Sequence, residues 1–318
     1  MGRLDSIRTG MKELTASRLQ VRIVSSMDGA ARSWLNRATG AAVRGFLVMV
    51  LVVLPSVILP GIGNDTKQIV ALVALFAGTL VFVEYNAVYP SLVEFRDGAP
   101  FNRIRYLMLL ATVLLLSVMV ADGQDPTTVS RLVRALGDVV GQALDFPYSP
   151  VRLATQLLAD TATDVQIMDL RTAAGTAYLV SLISLAVFVI VLKIAGWPST
   201  KSAFNVWVNL PTFEPTAGGD VVDRLERDAR INLAVGFLLP FIVPALIALI
   251  TSGLPPDAIT SPQTLIWTMA AWAFLPASLL MRGVAMGRVA DMIRIKRDRK
   301  LASEAAAARA ASEDKDDQ

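Results

Sequence analysis

The sequence contains no cysteine and no histidine. Disulfides, thiolate nucleophiles and zinc sites built from these residues are therefore excluded. A Ser-His or Cys-His catalytic pair and a histidine-ligated haem are excluded as well, and so is the usual side chain that titrates near neutral pH. These absences remove many familiar routes to nucleophilic and metal-dependent catalysis.

Charged residues are also scarce. They make up 18% of the 318 residues, whereas a soluble domain usually carries about 25%. Hydrophobic residues make up 54% of the chain, and they are concentrated in long runs separated by charged segments. This pattern indicates a membrane protein rather than a soluble protein with a large core.

Six segments are long and apolar enough to cross a bilayer core about 30 Å thick, which requires about 20 helical residues. These segments cover approximately 43–60, 69–90, 104–121, 175–195, 231–251 and 264–285. The sequence therefore predicts an all-α, polytopic membrane helix bundle with six transmembrane helices. The membrane domain is expected to occupy 43–290, between a basic amphipathic segment at 1–42 and a charged tail at 291–318.

The lysines and arginines are unevenly distributed between the two sides of this predicted bundle. Eight lie in the first 44 residues, three in 96–105, five in 193–230 and nine from Arg282 onward, which leaves five of the 30 for the other side. The positive-inside rule then predicts that both termini are cytoplasmic. The high usage of Ala, Val, Leu and Arg is typical of a GC-rich bacterial genome, so the predicted location is the bacterial cytoplasmic (inner) membrane.

The net charge of +3 also bears on the expected partners. The basic residues adjoin the apolar runs, which favours anionic membrane lipids as their partners. Nucleic acid is not an expected partner, because no folded basic domain is visible. Residues 11–39 place apolar side chains at roughly helical spacing among basic ones, which predicts an amphipathic helix in the membrane interface.

The connection 122–174 is the longest segment outside the predicted spans. Its apolar residues recur at helical spacing in two stretches, which predicts external amphipathic helices at about 126–144 and 150–160. Both stretches are too polar to cross a bilayer. They could lie on the outer leaflet, cover the bundle or form a docking surface.

Short polar residues before prolines or apolar runs predict where three helices begin. Asp125 before Pro126 and Ser149 before Pro150 combine an N-cap residue with proline at the first helical position. Asp220 is the predicted cap of a helix that leads into the fifth span.

Glu84 is the only carboxylate inside a predicted span, and Asn86 lies two residues after it. An ionised carboxylate at membrane depth is costly unless it is paired or hydrated. Arg282 in the sixth span should lie at a comparable depth, so a Glu84–Arg282 pair is expected. The alternative partners of Glu84 are Arg96, Arg103 and Arg105. Two interpretations stay open for this candidate intramembrane polar site: a proton or cation site, or a structural residue at the membrane boundary.

Three prolines in the fifth and sixth spans are candidate helix breaks: Pro240, Pro244 and Pro276. Each proline removes a backbone hydrogen bond and frees a carbonyl that an ion or a neighbouring helix can use. A transport site or a gate hinge is one interpretation. Ordinary kinks are the other, because proline is common in membrane helices.

The sequence contains no P-loop motif and no G-x-S-x-G nucleophile motif, and it shows no dense basic pocket for a phosphorylated lipid. We therefore expect a non-enzymatic protein without cofactor or metal, acting as an accessory or scaffold subunit through a membrane-protein partner or as a homo-oligomer. The alternative is a transporter or channel, with a broken fifth span and Glu84 on the pathway. A lipid-modifying enzyme using Glu84 and Asn86 ranks third.

Overall fold

The computed structural model describes residues 35–123, 126–156, 162–198, 205–214, 218–251 and 261–316. Within these ranges the regular secondary structure is entirely helical. A basic amphipathic helix was predicted within 11–39, and its residues 11–34 lie outside the described residues. The second external helix, predicted at about 150–160, is described only as far as residue 156.

The helices confirm the predicted class of fold. In chain order they are α1 (Leu35–Ile58), α2 (Asn64–Asn86), α3 (Ala99–Ala121), α4 (Thr128–Leu144), α5 (Pro150–Gln156), α6 (Asp164–Ala195), α7 (Val206–Asn209), α8 (Val221–Thr251) and α9 (Pro262–Asp316). The six helices α1, α2, α3, α6, α8 and α9 are long and apolar enough to cross a membrane. They correspond one to one to the six predicted spans, so the chain is a polytopic helical membrane protein.

Several spans extend beyond the apolar runs that predicted them, because local capping rather than hydropathy sets their ends. α6 begins about eleven residues before the predicted span, where Thr163 and Gln166 form a capping box. It ends at Gly196, which adopts the left-handed conformation with φ +57° that glycine tolerates. α9 continues from the sixth span through the predicted tail, and its 55 residues make a helix about 80 Å long.

The predicted cap of α4 was wrong. α4 begins at Thr128, and its cap is Thr127, whose hydroxyl accepts the Ser130 N–H at 3.1 Å. The Ser130 hydroxyl in turn accepts the Thr127 N–H at 2.8 Å. This reciprocal box satisfies two helix-end donors, so Pro126 precedes the cap and Asp125 lies outside the described residues.

The other two predicted caps are confirmed. The Ser149 hydroxyl accepts the backbone N–H of Arg152 at 3.0 Å, with α5 beginning at Pro150. Asp220 accepts the Val222 N–H at 2.8 Å at the start of α8. The Asp220 carboxylate also pairs with Arg297 of α9 at 2.6 Å. The hydrogen bond from Arg297 is the main cause that lowers the pKa of Asp220, and the hydrogen bond from the Val222 N–H is the second.

Two apolar clusters fill the bundle, one toward each end. The end at which α1 begins and α2 ends is called the basic face here, and the opposite end, where α4 and α5 lie, is called the far face. Leu116, Leu170 and Ile266 belong to the cluster nearer the far face. Phe101 and Met281 belong to the cluster nearer the basic face. α9 is central, because it packs against α8, α6 and α3.

α4 crosses α6 at a point where two glycines meet. A Cβ on Gly175 would lie 2.5 Å from the Gly141 Cα, so neither position has room for a side chain. Arg134 and Asp138 of α4 contact Asp169 and Thr172 of α6, so the polar face of α4 turns toward the bundle. Four of its apolar side chains face outward, at 59–67% exposure: Val129, Leu132, Leu136 and Val139.

We expect Gly175→Ala to destabilise the fold by about 1–3 kcal/mol, because the added methyl group overlaps rigid backbone on α4. Reversible unfolding in detergent mixtures measures this change. Gly123→Ala is the matched control on the same face, since its added Cβ meets nothing closer than 3.6 Å. Equal stability of the two variants would contradict the close α4–α6 contact.

Candidate functional site

Glu84 lies in the last turn of α2 and is buried, with 7% exposure. Its Oε2 accepts the backbone N–H groups of Ser91, Leu92 and Val93 at 3.0, 2.9 and 3.2 Å. Its Oε1 accepts the Ser91 hydroxyl hydrogen at 2.6 Å. Successive N–H groups that converge in this way form a concave anion site. The carboxylate therefore fixes the turn that follows α2.

This turn explains why α2 ends earlier than predicted. The helix stops at Asn86, whereas the sequence predicted a span to residue 90. The donors at 91–93 bind the Glu84 carboxylate instead of continuing a helix. Arg96 closes the helix end by donating to the Ala87 carbonyl at 2.5 Å. The Asn86 side-chain oxygen is buried and has no hydrogen-bond partner among the described residues.

Arg282 does not pair with Glu84. It pairs with Glu94, ten residues further along the α2–α3 connection, in a two-point contact: Nε to Oε2 at 2.6 Å and Nη2 to Oε1 at 2.8 Å. Both side chains are largely buried, at 26% exposure for Arg282 and 12% for Glu94. Planar bidentate pairs of this kind are strong and directional. The carboxylate that pairs with Arg282 thus lies in the α2–α3 connection, outside the predicted spans.

Two further elements join this ion pair. Asn232 of α8 accepts from Arg282 Nη1 at 2.9 Å. The Thr212 hydroxyl donates to Glu94 at 2.6 Å from the connection that precedes α8. A single guanidinium therefore joins α9, α8 and two connections, and the four residues are called the collar network here.

The connection around α7 also docks directly on the α2–α3 connection. Phe95 N–H donates to the Asn209 carbonyl at 2.6 Å, and Asp97 N–H donates to the Asn209 side chain at 3.0 Å. Phe95 has a left-handed φ of +50°, which non-glycine residues seldom adopt, and its ring is completely buried against Phe101. Asn209 and the aromatic packing together hold Phe95 in this conformation.

Arg105 of α3 extends the polar contacts toward the membrane interior. Its Nε donates to the Ser278 hydroxyl of α9 at 2.7 Å. Its guanidinium lies 5.1 Å from the centre of the Phe101 ring and 5.5 Å from that of Phe274. These cation–π contacts allow a charge to reside among apolar side chains.

A cavity of about 520 Å³ opens beside the collar network, between α1 and α3. Arg44, Arg103 and Arg105 line it together with Tyr85. Apolar side chains form the remainder of the wall, among them Leu47, Val48, Leu51, Leu109 and Phe274. The expectation that there is no basic pocket was therefore wrong: Arg103 and Arg105 line a pocket once α1 supplies Arg44.

The candidate helix breaks do not interrupt the helices. α8 is continuous through Pro240 and Pro244. Pro244 has no N–H to offer the Pro240 carbonyl, and Trp272 Nε1–H of α9 donates to that carbonyl at 3.3 Å instead. α9 is likewise continuous through Pro276. The freed acceptor of α8 is thus used in packing against α9.

The second proline site lies against a glycine of α8. A Cβ on Gly236 would lie 3.0 Å from the Pro276 carbonyl oxygen, so the two backbones approach closely there. A cavity of about 250 Å³ adjoins this contact, between α6, α8 and α9. Tyr178 and Ser181 contribute hydroxyl groups to its wall, and the described lining contains no ionisable acid or base apart from this tyrosine.

Within the described parts of the chain, no group of three or more acidic side chains lies close enough together to hold a metal ion. No protein-family model, no curated protein and no solved structure matches this chain.

We expect Glu94→Gln to destabilise the protein by about 1.5–3 kcal/mol, because Arg282 then remains buried without its counter-charge. Unfolding in detergent mixtures measures the loss. Glu226→Gln is the matched control: its partner Arg294 is 50% exposed, so the change should cost about 0.5 kcal/mol or less.

The double variant Glu94→Gln with Arg282→Gln measures the interaction between these two side chains apart from their contacts with other residues. Because both substitutions remove the same interaction, their combined cost should be smaller than the sum of the single costs. Strict additivity would contradict a direct coupling between Glu94 and Arg282.

Proposed function

We propose that this chain is a non-enzymatic accessory or scaffold subunit that acts through a membrane-protein partner or as a homo-oligomer. We place it in the bacterial cytoplasmic membrane with both termini in the cytoplasm. The observation that carries the proposal is the use of the buried carboxylates. Glu84 binds the turn at 91–93, and Glu94 binds Arg282.

This use of charge favours a structural role over transport. A proton or cation pathway generally presents several ionisable groups along the membrane depth. In the described residues, the ion pairs lie toward the two ends of the bundle, and the cavity beside Pro240 and Pro276 is mainly apolar. Glu84 accepts four hydrogen bonds from the turn that follows α2, three at Oε2 and one at Oε1, as a structural carboxylate does.

The outward apolar stripe of α4, formed by Val129, Leu132, Leu136 and Val139, is the partner contact to test first. The helix is held by its polar and glycine face, which leaves the stripe free to contact another molecule. A second membrane protein or a second copy of the chain is the occupant that the proposed function requires.

The alternative function is a transporter or channel, and one observation favours it. The cavity of about 250 Å³ lies beside the two proline sites within the membrane-spanning helices. Its lining suits an uncharged solute. In this alternative, Pro240→Ala alters flux through liposomes that contain the purified protein.

We expect the tagged protein, purified from its own membranes in a mild detergent, to retain a stoichiometric protein partner or a second copy. Leu132→Ser combined with Leu136→Ser should reduce that recovery severalfold without lowering the melting temperature. Leu301→Ser is the matched control, since it removes an exposed leucine from the α9 extension. A lone monomer that conducts a solute through liposomes, with flux altered by Pro240→Ala, would contradict the proposal and support transport.

The absence of cysteine allows the orientation to be tested with single introduced thiols. Gln142→Cys on α4 and Ser303→Cys on α9 are both at exposed positions on opposite sides of the bundle. In intact bacterial cells, a membrane-impermeant maleimide should label Gln142→Cys alone. Ser303→Cys should react only after the membrane is permeabilised, and the reverse pattern would overturn the proposed orientation.

A further inference from the structure

We propose that the cavity between α1 and α3 binds one anionic phospholipid, with the phosphate at its arginine rim and an acyl chain in its apolar depth. This inference does not depend on the accessory function. It depends on the charge at the rim, the shape of the slot and its position in a membrane-spanning bundle.

The cavity lining carries a net positive charge. Its ionisable groups are Arg44, Arg103, Arg105, Glu94 and two tyrosines. Glu94 is neutralised by Arg282, which leaves three guanidinium groups in excess. Arg44 and Arg103 are exposed, and neither forms an ion pair with a carboxylate among the described residues.

Two of the arginines that line the cavity, Arg44 and Arg105, are held in place by contacts that leave some of their N–H groups unused. Arg44 lies over the Tyr85 ring at 4.7 Å and donates one N–H to the Gly40 carbonyl. Arg105 uses its Nε for Ser278. Arg44 and Arg103 thus offer unused guanidinium donors at the exposed rim from two helices, and Arg105 lies deeper, between Phe101 and Phe274.

Below the rim, the cavity is an apolar slot. From Arg44 to Leu51 the α1 wall descends about 10 Å along the helix, and Leu109 on α3 faces the same cavity. Phe274 of α9 also lines the cavity, beside Arg105. A soluble anion would leave this apolar slot unfilled, whereas a phospholipid can place its phosphate at the rim and an acyl chain in the slot. Basic pockets between membrane helices commonly bind phospholipid head groups.

The test is native mass spectrometry of delipidated full-length protein, titrated with phosphatidylglycerol or with phosphatidylcholine that has the same acyl chains. We expect one phosphatidylglycerol to bind per chain, with a clear preference over phosphatidylcholine. Arg44→Gln combined with Arg103→Gln should weaken binding about 30-fold, because each arginine near an anionic lipid contributes roughly fivefold. Both side chains are exposed, so this variant should fold normally.

Two further variants distinguish a specific site from general charge. Arg131→Gln combined with Arg299→Gln removes the same charge from exposed positions outside the cavity and should leave binding unchanged. Val48→Phe fills the slot without altering charge, and it should also weaken binding at an unchanged melting temperature.

Equal binding of the two lipids would overturn the proposal, as would unchanged binding in the Arg44→Gln, Arg103→Gln variant. An equal loss of lipid binding in the Arg131→Gln, Arg299→Gln control would show that only the overall charge matters, and it would overturn the proposal as well. Complete displacement of the lipid by excess inorganic phosphate, with no effect of Val48→Phe, would assign the rim to a soluble anion and also overturn it.

Discussion

The two-point contact between Glu94 and Arg282 is the interaction on which the arrangement of the basic face depends. Lipid tails are as apolar as leucine side chains, so membrane helices gain little from burying apolar surface against each other. Polar contacts and close packing must then specify which helices meet. Here one guanidinium contacts Glu94, Asn232 and Thr212, which belong to three different parts of the chain. The ion pair stabilises the fold strongly only because it is largely buried.

This contact in turn requires Glu84. Glu94 can reach Arg282 only if the chain reverses after α2, and the reversal is fixed by the three N–H groups that converge on the Glu84 carboxylate. The carboxylate buried in the last turn of α2 thus acts as a structural anchor for the residue that meets the arginine. A polar residue at membrane depth is often read as a transport site. In this chain its four hydrogen bonds, all to one short segment, favour the boundary role.

Much of the fold could be predicted from hydropathy, because length and apolar content alone identify six spans. The partner of Arg282 could not be predicted from the sequence. Glu94 lies in a connection, and its approach to Arg282 depends on a turn whose donors are backbone groups common to every sequence. The prediction of the α4 cap was wrong for a related reason. Asp125 and Thr127 are both acceptable N-cap residues, and Ser130 at the third helical position favours Thr127 because the two form a capping box. Arg44 joined the cavity only through the packing of α1 beside α3.

The two ends of the bundle are restrained by different means, and this bears on the choice between scaffold and transporter. The collar network holds the basic face, while the contact of Gly141 with Gly175 brings backbones together near the far face. Alternating access requires two arrangements of similar free energy, with an element that moves between them. The prolines are the natural place for such an element, yet the Pro240 carbonyl is bound by Trp272 of α9. A kink whose freed acceptor is occupied by the adjacent helix holds the two helices together, which favours a fixed framework whose variable contacts lie on its surface.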